Sequence, residues 1–308
     1  MNVSIASQSS ASVRISTLVA VRRAGDFAAL TKPRVMSLVM FTAFVGLVVS
    51  PGHLDPVKEC IALLSIATGA GSAGALNMWY EAGLDTAMAR TAGRPIPSGR
   101  VSQSEALAFG LGLAASSVAT LAFISLVAAA LLAFTIFFYV VVYTMWLKPR
   151  TPQNIVIGGV AGALPPVIGW VAASGRVGIE PLLLFLIILL WTPPHFWALS
   201  LERVGEYARA GIPILPVVIG RRRTTKHILA YTILLVTASL LPWLLRFTGS
   251  LYGAVACVCG ATLLFLAIRL YRCRRDKESA PARGLFAFSI LYLFLLFVGV
   301  LADKALPL

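Results

Sequence analysis

Acidic residues are few in this 308-residue chain, which has only 12 Asp and Glu against 26 Lys and Arg. Charged residues of both signs make up 12% of the sequence, whereas hydrophobic residues make up 58% and the mean hydropathy is +0.87. A soluble globular domain usually carries about 25% charged residues. The composition therefore excludes that class and predicts a polytopic membrane protein.

Cysteine is scarce as well, and its spacing excludes a cysteine-based metal site. Cys60, Cys257, Cys259 and Cys273 form no C-x-x-C pattern. We interpret all four as reduced thiols with no assigned role.

Nine long apolar runs account for most of the sequence, and each can cross a hydrocarbon core of about 30 Å. Backbone polar groups in lipid must be hydrogen-bonded internally, so each run is expected to be a helix rather than a strand of a barrel. We therefore predict an all-α fold, a bundle of nine transmembrane helices. The expected spans are 35–50, 58–77, 105–122, 124–146, 155–173, 181–200, 227–246, 250–270 and 284–302.

One intramembrane domain, residues 26–308, is expected to follow a flexible N-terminal tail, residues 1–25. The tail has no acidic residue, is rich in Ser and contains Arg14, Arg22 and Arg23. A mitochondrial transit peptide has a similar composition. We favour the simpler interpretation, a mobile tail.

The distribution of basic residues predicts the orientation in the membrane. With nine spans, all but four of the 26 Lys and Arg fall on one side. Lys- and Arg-rich loops face the cytoplasm. The N-terminus is therefore expected on the cytoplasmic side of a bacterial inner membrane. The alternative is the matrix side of a mitochondrial inner membrane. The four exceptions are Lys58, Arg176, Arg246 and Lys304.

The basic clusters at 221–223 and 272–277 lie directly beside apolar runs. Clusters in that position typically contact anionic lipid headgroups. We therefore expect the bilayer, and no nucleic acid, as their partner.

A first group of oxygen-bearing side chains follows the second apolar run. Asn77, Glu81 and Asp85 are spaced at i, i+4 and i+8, which places them on one face if the helix continues. Like charges at this spacing repel unless a cation lies between them. Oxygen ligands in small number suit Mg²⁺, which shares its coordination with water and substrate phosphates.

Cations accompany these carboxylates, and a second acidic pair lies further along the chain. Arg90, Arg94 and Arg100 follow Asp85 closely, and Glu202 with Glu206 repeats the i,i+4 spacing. Guanidinium groups bind phosphate through two donors at once. Two such loops on one face of the membrane predict a site for a diphosphate held by Mg²⁺.

These motifs resemble the UbiA superfamily of intramembrane prenyltransferases, and within it the haem branch, the protohaem IX farnesyltransferases or haem O synthases. The run from Asn77 to Asp85 is similar to the family signature N-x-x-x-D-x-x-x-D, although Glu81 stands where Asp is usual. The resemblance covers about residues 26 to 300. The other stretches that carry it are Thr31-Lys-Pro-Arg34, Leu147-Lys148, Thr151-Pro-Gln-Asn154, Pro193-Pro-His-Phe-Trp197 and Tyr207 to Pro216.

The resemblance implies an enzyme that transfers a farnesyl group from farnesyl diphosphate to the 2-vinyl group of haem b, with addition of water, to give haem O. It implies Mg²⁺ as cofactor, and it makes a downstream haem A synthase a candidate partner. It also implies the site residues. The catalytic metal ligands are Asn77, Glu81, Asp85 and Glu206, with Glu202 as a weaker candidate, and the diphosphate contacts are Arg90, Arg94 and Lys148. The haem-binding candidates are His195, which would ligate or orient the haem iron, and Arg34, which would contact either a haem propionate or the diphosphate.

Three other interpretations remain open at this stage. A related prenyltransferase would act on a quinone precursor or chlorophyllide. A secondary transporter would use helices broken near Pro165-Pro166 and Pro193-Pro194, but it should carry ionisable residues at mid-membrane, where this sequence has almost none. A non-catalytic assembly factor would leave the paired carboxylates without a purpose.

Overall fold

The structure, a computed structural model, describes residues 23–273 and 280–306, and within these ranges the regular secondary structure is entirely helical. Residues 1–22 of the expected tail lie outside them, whereas residues 23–25 belong to the first helix. The elements are α1 (Arg23–Leu30), α2 (Pro33–Val49), α3 (Pro56–Tyr80), α4 (Ala82–Thr86), α5 (Gln103–Ala122), α6 (Leu126–Phe137), a π-helical segment (Phe138–Leu147, the π segment), α7 (Asn154–Ala163), α8 (Pro165–Ser174), α9 (Ile179–Ser200), α10 (Val204–Arg209), α11 (Leu215–Leu244), α12 (Ser250–Arg272) and α13 (Ala280–Ala305).

Eight helical segments of the described chain are long and apolar enough to cross a membrane. The π segment completes one span with α6, and α8 completes another with α7. The pair α1 and α2 is bent by 53° and adds a ninth span if it is counted as one. The predicted all-α bundle is confirmed, and the predicted number of nine is reached with the bent pair.

Local sequence explains where several helices begin. Asp55 accepts a hydrogen bond from Lys58 N at the start of α3, at 3.0 Å, and Ser125 accepts one from Ala128 N at the start of α6, at 3.2 Å. Such side chains satisfy backbone donors that have no partner in the first turn. Ser125 therefore separates the third span from the fourth, as the sequence predicted.

The helices form a closed ring in which each packs on the next. The order is α2, α3, α5, α6, the π segment, α7, α9, α11, α12 and α13, and α13 returns to α2. Helix α8 contacts α2, α3, α6, α7 and α9, so it fills the ring at one end. Successive spans alternate in direction. The end of the bundle opposite α8 therefore contains the C-termini of α3, the π segment and α9.

Three features of the second half of the chain differ from what the sequence pattern suggested. The seventh span starts at Leu215 rather than near 227, with non-helical backbone at Gly220 (φ 77°, ψ 165°). Pro193 and Pro194 do not break α9, which runs through both; membrane helices tolerate proline because neighbouring helices supply alternative packing and hydrogen bonds. Glu202 and Glu206 do not share a helix face, because Glu202 precedes α10.

Helices α2 and α8 approach each other more closely than side chains would allow. A Cβ added to Gly46 would lie 2.0 Å from Pro166 O, and one added to Gly169 would lie 2.1 Å from Ala43 O. Both contacts are with backbone, so no side-chain rotation can relieve them. Glycine at these two positions permits the close packing, as is common between membrane helices.

Candidate active site

A polar cavity of about 150 Å³ lies at the end of the bundle where α3, the π segment and α9 end. Its charged side chains are four cations and two carboxylates, so it carries an excess of positive charge. This suits a strongly anionic ligand. The polar side chains that line it are those of Lys32, Asn77, Glu81, Asp85, Arg90, Arg94, Tyr139, Tyr143, Lys148, Asn154 and Tyr207.

The acidic motif keeps its helical register across the junction from α3 to α4. Glu81 N donates to Asn77 O at 3.0 Å, and Asp85 N donates to Glu81 O at 2.8 Å. This i to i−4 bonding places Asn77, Glu81 and Asp85 on one face, and all three line the cavity. All three are also buried, with 3%, 8% and 3% of their surface exposed respectively.

Each oxygen-bearing side chain of the motif has a cationic partner. Arg94 Nη1 lies 2.6 Å from Asp85 Oδ2, and Lys148 forms an ion pair with Glu81. Lys32 Nζ donates to Asn77 Oδ1. Buried charges are tolerated only when they are paired and hydrogen-bonded. The cations therefore hold the carboxylates in place and remain close enough to contact an anion in the cavity.

The π segment orients several lining residues at once. Lys148 N donates to Tyr143 O at 2.9 Å, and Thr144 Oγ1 donates to Tyr139 O at 2.8 Å, both across five residues. Thr144 in turn accepts a hydrogen bond from Asn77 Nδ2 at 3.1 Å. With π-type hydrogen bonding, residues five apart such as Tyr143 and Lys148 come close to one side of the helix. Tyr139, one turn before Tyr143, lines the cavity with them.

Sequence reasoning missed several residues of this cavity. Lys32 and Asn154 stand in stretches that carry the family resemblance but were given no role, and Tyr139, Tyr143 and Tyr207 were not singled out for the cavity. Lys32 has left-handed backbone (φ 55°, ψ 54°) at the bend between α1 and α2. This bend directs Lys32 into the cavity while Arg34 is exposed. The motif Thr31-Lys-Pro-Arg34 was the only signal available.

The predicted residues outside the polar cavity have separate surroundings. Glu202 pairs with Arg283 Nε at 2.8 Å. Glu206 lies on α10 beside Tyr207, which lines the cavity, and its Oε2 is buried with no hydrogen bond from any described residue. Arg34 lines neither this cavity nor the apolar one beside it.

A second cavity, of about 310 Å³, adjoins the first and is mainly apolar. Helices α2, α7 and α9 supply most of its lining, including Gly158, Gly159 and Gly162. His195 and Trp191 also line it. The residues that border both cavities are Tyr139, Tyr143, Ile155 and Phe196. The two spaces together suit an amphipathic molecule with an anionic head and an apolar tail.

His195 is fixed between two aromatic rings. Its ring centroid is 4.1 Å from that of Trp191 and 4.7 Å from that of Phe286, and both pairs are stacked. His195 Nδ1 lies 2.7 Å from Ser289 Oγ, and Trp191 Nε1 donates to Ser289 O at 2.7 Å. Ser289 on α13 therefore holds both rings against the cavity.

Comparison with known proteins agrees with this architecture. A model of the UbiA prenyltransferase family matches residues 39–298. The protoheme IX farnesyltransferase of Afipia carboxidovorans is 60% identical over 274 residues, which cover 88% of each chain.

Two solved structures share the fold. A digeranylgeranylglyceryl phosphate synthase superposes with a TM-score of 0.76 at 18% identity, covering 91% of this chain and 99% of that one. A UbiA homologue from Archaeoglobus fulgidus bound to DMAPP and Mg²⁺ gives 0.61 at 16% identity, covering 89% and 99%. The ring of apolar helices and the buried carboxylates and cations agree with these relatives. The chain therefore belongs to the UbiA prenyltransferase family and is a membrane enzyme.

Proposed function

We propose that this enzyme converts haem b to haem O by transferring the farnesyl group of farnesyl diphosphate to the 2-vinyl group, with addition of water. The observation that carries the transfer chemistry is the pair of adjoining cavities, one cationic and one apolar. Relatives named protoheme IX farnesyltransferase, at about 60% identity over most of both chains, support haem as the acceptor.

The oxygen donors that line the polar cavity, together with Glu206 beside it, fit Mg²⁺. The candidate ligands are the amide oxygen of Asn77 and the carboxylates of Glu81, Asp85 and Glu206, all of them oxygen donors. Glu206 Oε2, buried without a partner among the described residues, is the one that most needs a cation. We propose Glu202 only as a weaker ligand, because it already pairs with Arg283.

The described residues contain no group of three or more His, Cys, Asp or Glu side chains placed to hold a metal by themselves. A site of this kind relies on the diphosphate and water for its remaining ligands, which is typical of Mg²⁺. Bound there, Mg²⁺ would neutralise the negative charge that develops on the leaving diphosphate.

The cations of the chain would act on the same charge. We propose that Arg90, Arg94 and Lys148 contact the diphosphate oxygens, and that Lys32 joins them from the bend before α2. When an anion enters, Arg94 and Lys148 can exchange a carboxylate partner for a phosphate partner without leaving the cavity. Such prearranged positive groups stabilise a transition state at little reorganisation cost.

The apolar cavity would hold the reacting carbon skeletons away from bulk water. An allylic cation survives only where water is excluded, and aromatic ring faces such as those of Tyr139 and Trp191 attract cations. We propose that His195 contacts the haem from the cavity wall, and that the exposed Arg34 binds a propionate at the membrane surface.

The location of the enzyme follows from the same charges. We propose a multi-pass protein of the bacterial inner membrane with a cytoplasmic N-terminus, because the basic loops and the polar cavity share one end of the bundle. A mitochondrial inner membrane is the alternative. The bilayer and a downstream haem A synthase are the proposed partners, and no nucleic acid is among them.

The decisive experiment is an assay of the purified full-length protein in detergent with haem b, farnesyl diphosphate and Mg²⁺, read by mass spectrometry. We expect haem O, and no product after chelation of the metal. Turnover of an aromatic acid or a chlorophyllide in place of haem would assign the enzyme to a different acceptor. Inactivity with every acceptor would contradict the proposal.

A Lys148→Gln variant tests the diphosphate site. We expect the KM for farnesyl diphosphate to rise about 10- to 100-fold, because a hydrogen bond to a charged group contributes about 1.5–3 kcal/mol. Lys58→Gln is the control, since Lys58 is an exposed lysine paired with Asp55 at the other end of the bundle. Equal KM values for the two variants would contradict the assignment.

A further inference from the structure

His195 differs from the other side chains of the apolar cavity in carrying a basic lone pair. The remaining lining groups are aliphatic, aromatic, phenolic, hydroxyl or glycine. The two hydroxyls, those of Thr42 and Thr192, donate to backbone carbonyls of their own helices at 2.9 and 2.8 Å. Among the described lining residues, His195 therefore supplies the one basic nitrogen that can accept a proton released inside this cavity.

Hydrogen bonding determines which ring nitrogen of His195 carries the proton. Ser289 Oγ lies 2.7 Å from Phe286 O, and a carbonyl oxygen can only accept. The single hydroxyl hydrogen of Ser289 is used in that bond. Ser289 Oγ must then accept from His195 Nδ1, so the hydrogen of the neutral imidazole is on Nδ1. The lone pair is on Nε2.

The position of the ring leaves Nε2 available. Ser289 and Phe286 do not line the cavity, whereas His195 does, so the Nδ1 edge faces α13. Nε2 has no hydrogen-bond partner among the described residues. The imidazole is stacked between the rings of Trp191 and Phe286, so that turning it over would require both aromatic neighbours to move.

We propose that His195 Nε2 is the general base that takes the proton from the water added in the reaction. This inference rests on the proposed function and names the residue that completes it. The bond between farnesyl C1 and the diphosphate oxygen breaks, and its electron pair leaves with the diphosphate. The vinyl π electrons form the new bond to C1 and leave a cation on the vinyl carbon next to the ring.

Water then adds to that cation through oxygen, and the attached oxygen loses one proton to Nε2. A water molecule bound to a carbocation is a very strong acid, so a neutral imidazole is a sufficient base. Without a base in position to complete the addition of water, the cation reacts in a different way. It loses a proton from carbon and gives an unhydrated product that is lighter by one water.

The test compares His195→Asn with the parent enzyme under the assay conditions above. Asn can still donate to Ser289 from the position of Nδ1, but it has no atom in place of Nε2. We expect the ratio of hydrated to unhydrated product to fall at least about 100-fold, the low end for loss of a general base. The absorption spectrum of bound haem should stay unchanged.

Two further variants keep the test independent of folding. His195→Gln also lacks a basic nitrogen and should lower the ratio in the same way, and Ser289→Ala keeps Nε2 but frees the ring and should lower it less. A changed haem spectrum with an unchanged ratio would show that His195 ligates iron and would overturn the proposal, as would no change in either. Failure of the parent to make haem O would instead reject the proposed function.

Discussion

An Asp85→Asn variant is expected to lose haem O formation by about 100-fold or more, the usual cost of removing one group that stabilises a developing charge. Asp85 is buried, lines the polar cavity and pairs with Arg94 Nη1 at 2.6 Å. Asn keeps the shape and one oxygen but removes the negative charge. We expect two consequences: Mg²⁺ binds more weakly, so that a higher Mg²⁺ concentration is needed for half-maximal activity, and Arg94 is no longer held in place.

The matched control for this variant is Glu59→Gln. Glu59 lies on α3, the helix that precedes Asp85, but in its first turn at the other end of the bundle. The Glu59→Gln substitution removes the same charge at a distance from the cavity, and it should change activity by less than about twofold. The measurement is the initial rate over a range of Mg²⁺ concentrations. Similar losses in both variants would show that the effect is one of overall charge.

A Gly169→Ala variant is expected to unfold at a temperature at least about 5 °C below that of the parent. Alanine favours helix over glycine by about 1 kcal/mol, so helix propensity alone predicts the opposite sign. The added Cβ would lie 2.1 Å from Ala43 O, and α2 and α8 would have to separate. Overpacking of this kind typically costs about 1–3 kcal/mol or more, and here the obstacle is backbone.

Gly112→Ala is the control, because a Cβ there meets no atom within 4 Å. It should leave the unfolding temperature unchanged or raise it slightly. Thermal unfolding of both variants in detergent, followed by size-exclusion chromatography, provides the comparison. If Gly169→Ala is as stable as Gly112→Ala, the close approach of α2 and α8 does not limit stability.

The packing of α2 also connects stability to activity. Its residues Val35, Leu38, Val39 and Thr42 line the apolar cavity, and the bend before it carries Lys32. A shift of α2 away from α8 would therefore alter both cavities. For this reason Gly169→Ala should lower activity as well, even at temperatures where the protein remains folded.

The sequence by itself determined the class of fold and part of the site. Apolar runs of membrane-spanning length require helices, because lipid offers the backbone no other partners. Asn77, Glu81 and Asp85 could be assigned to one face because their spacing is local, four residues at each step. The boundary at Ser125 could also be predicted, since a helix N-cap depends on a few neighbouring residues.

Only the tertiary structure decided which distant residues join that motif. Lys148 pairs with Glu81 across 67 residues, and Ser289 holds His195 across 94. The π-type bonding that directs Tyr139 and Tyr143 to the cavities, and the left-handed turn at Lys32, have no local signature strong enough to predict. These features depend on contacts between helices far apart in sequence. For that reason the sequence predicted the carboxylates of the polar cavity and three of its cations, Arg90, Arg94 and Lys148, but few of the other residues that line the two cavities.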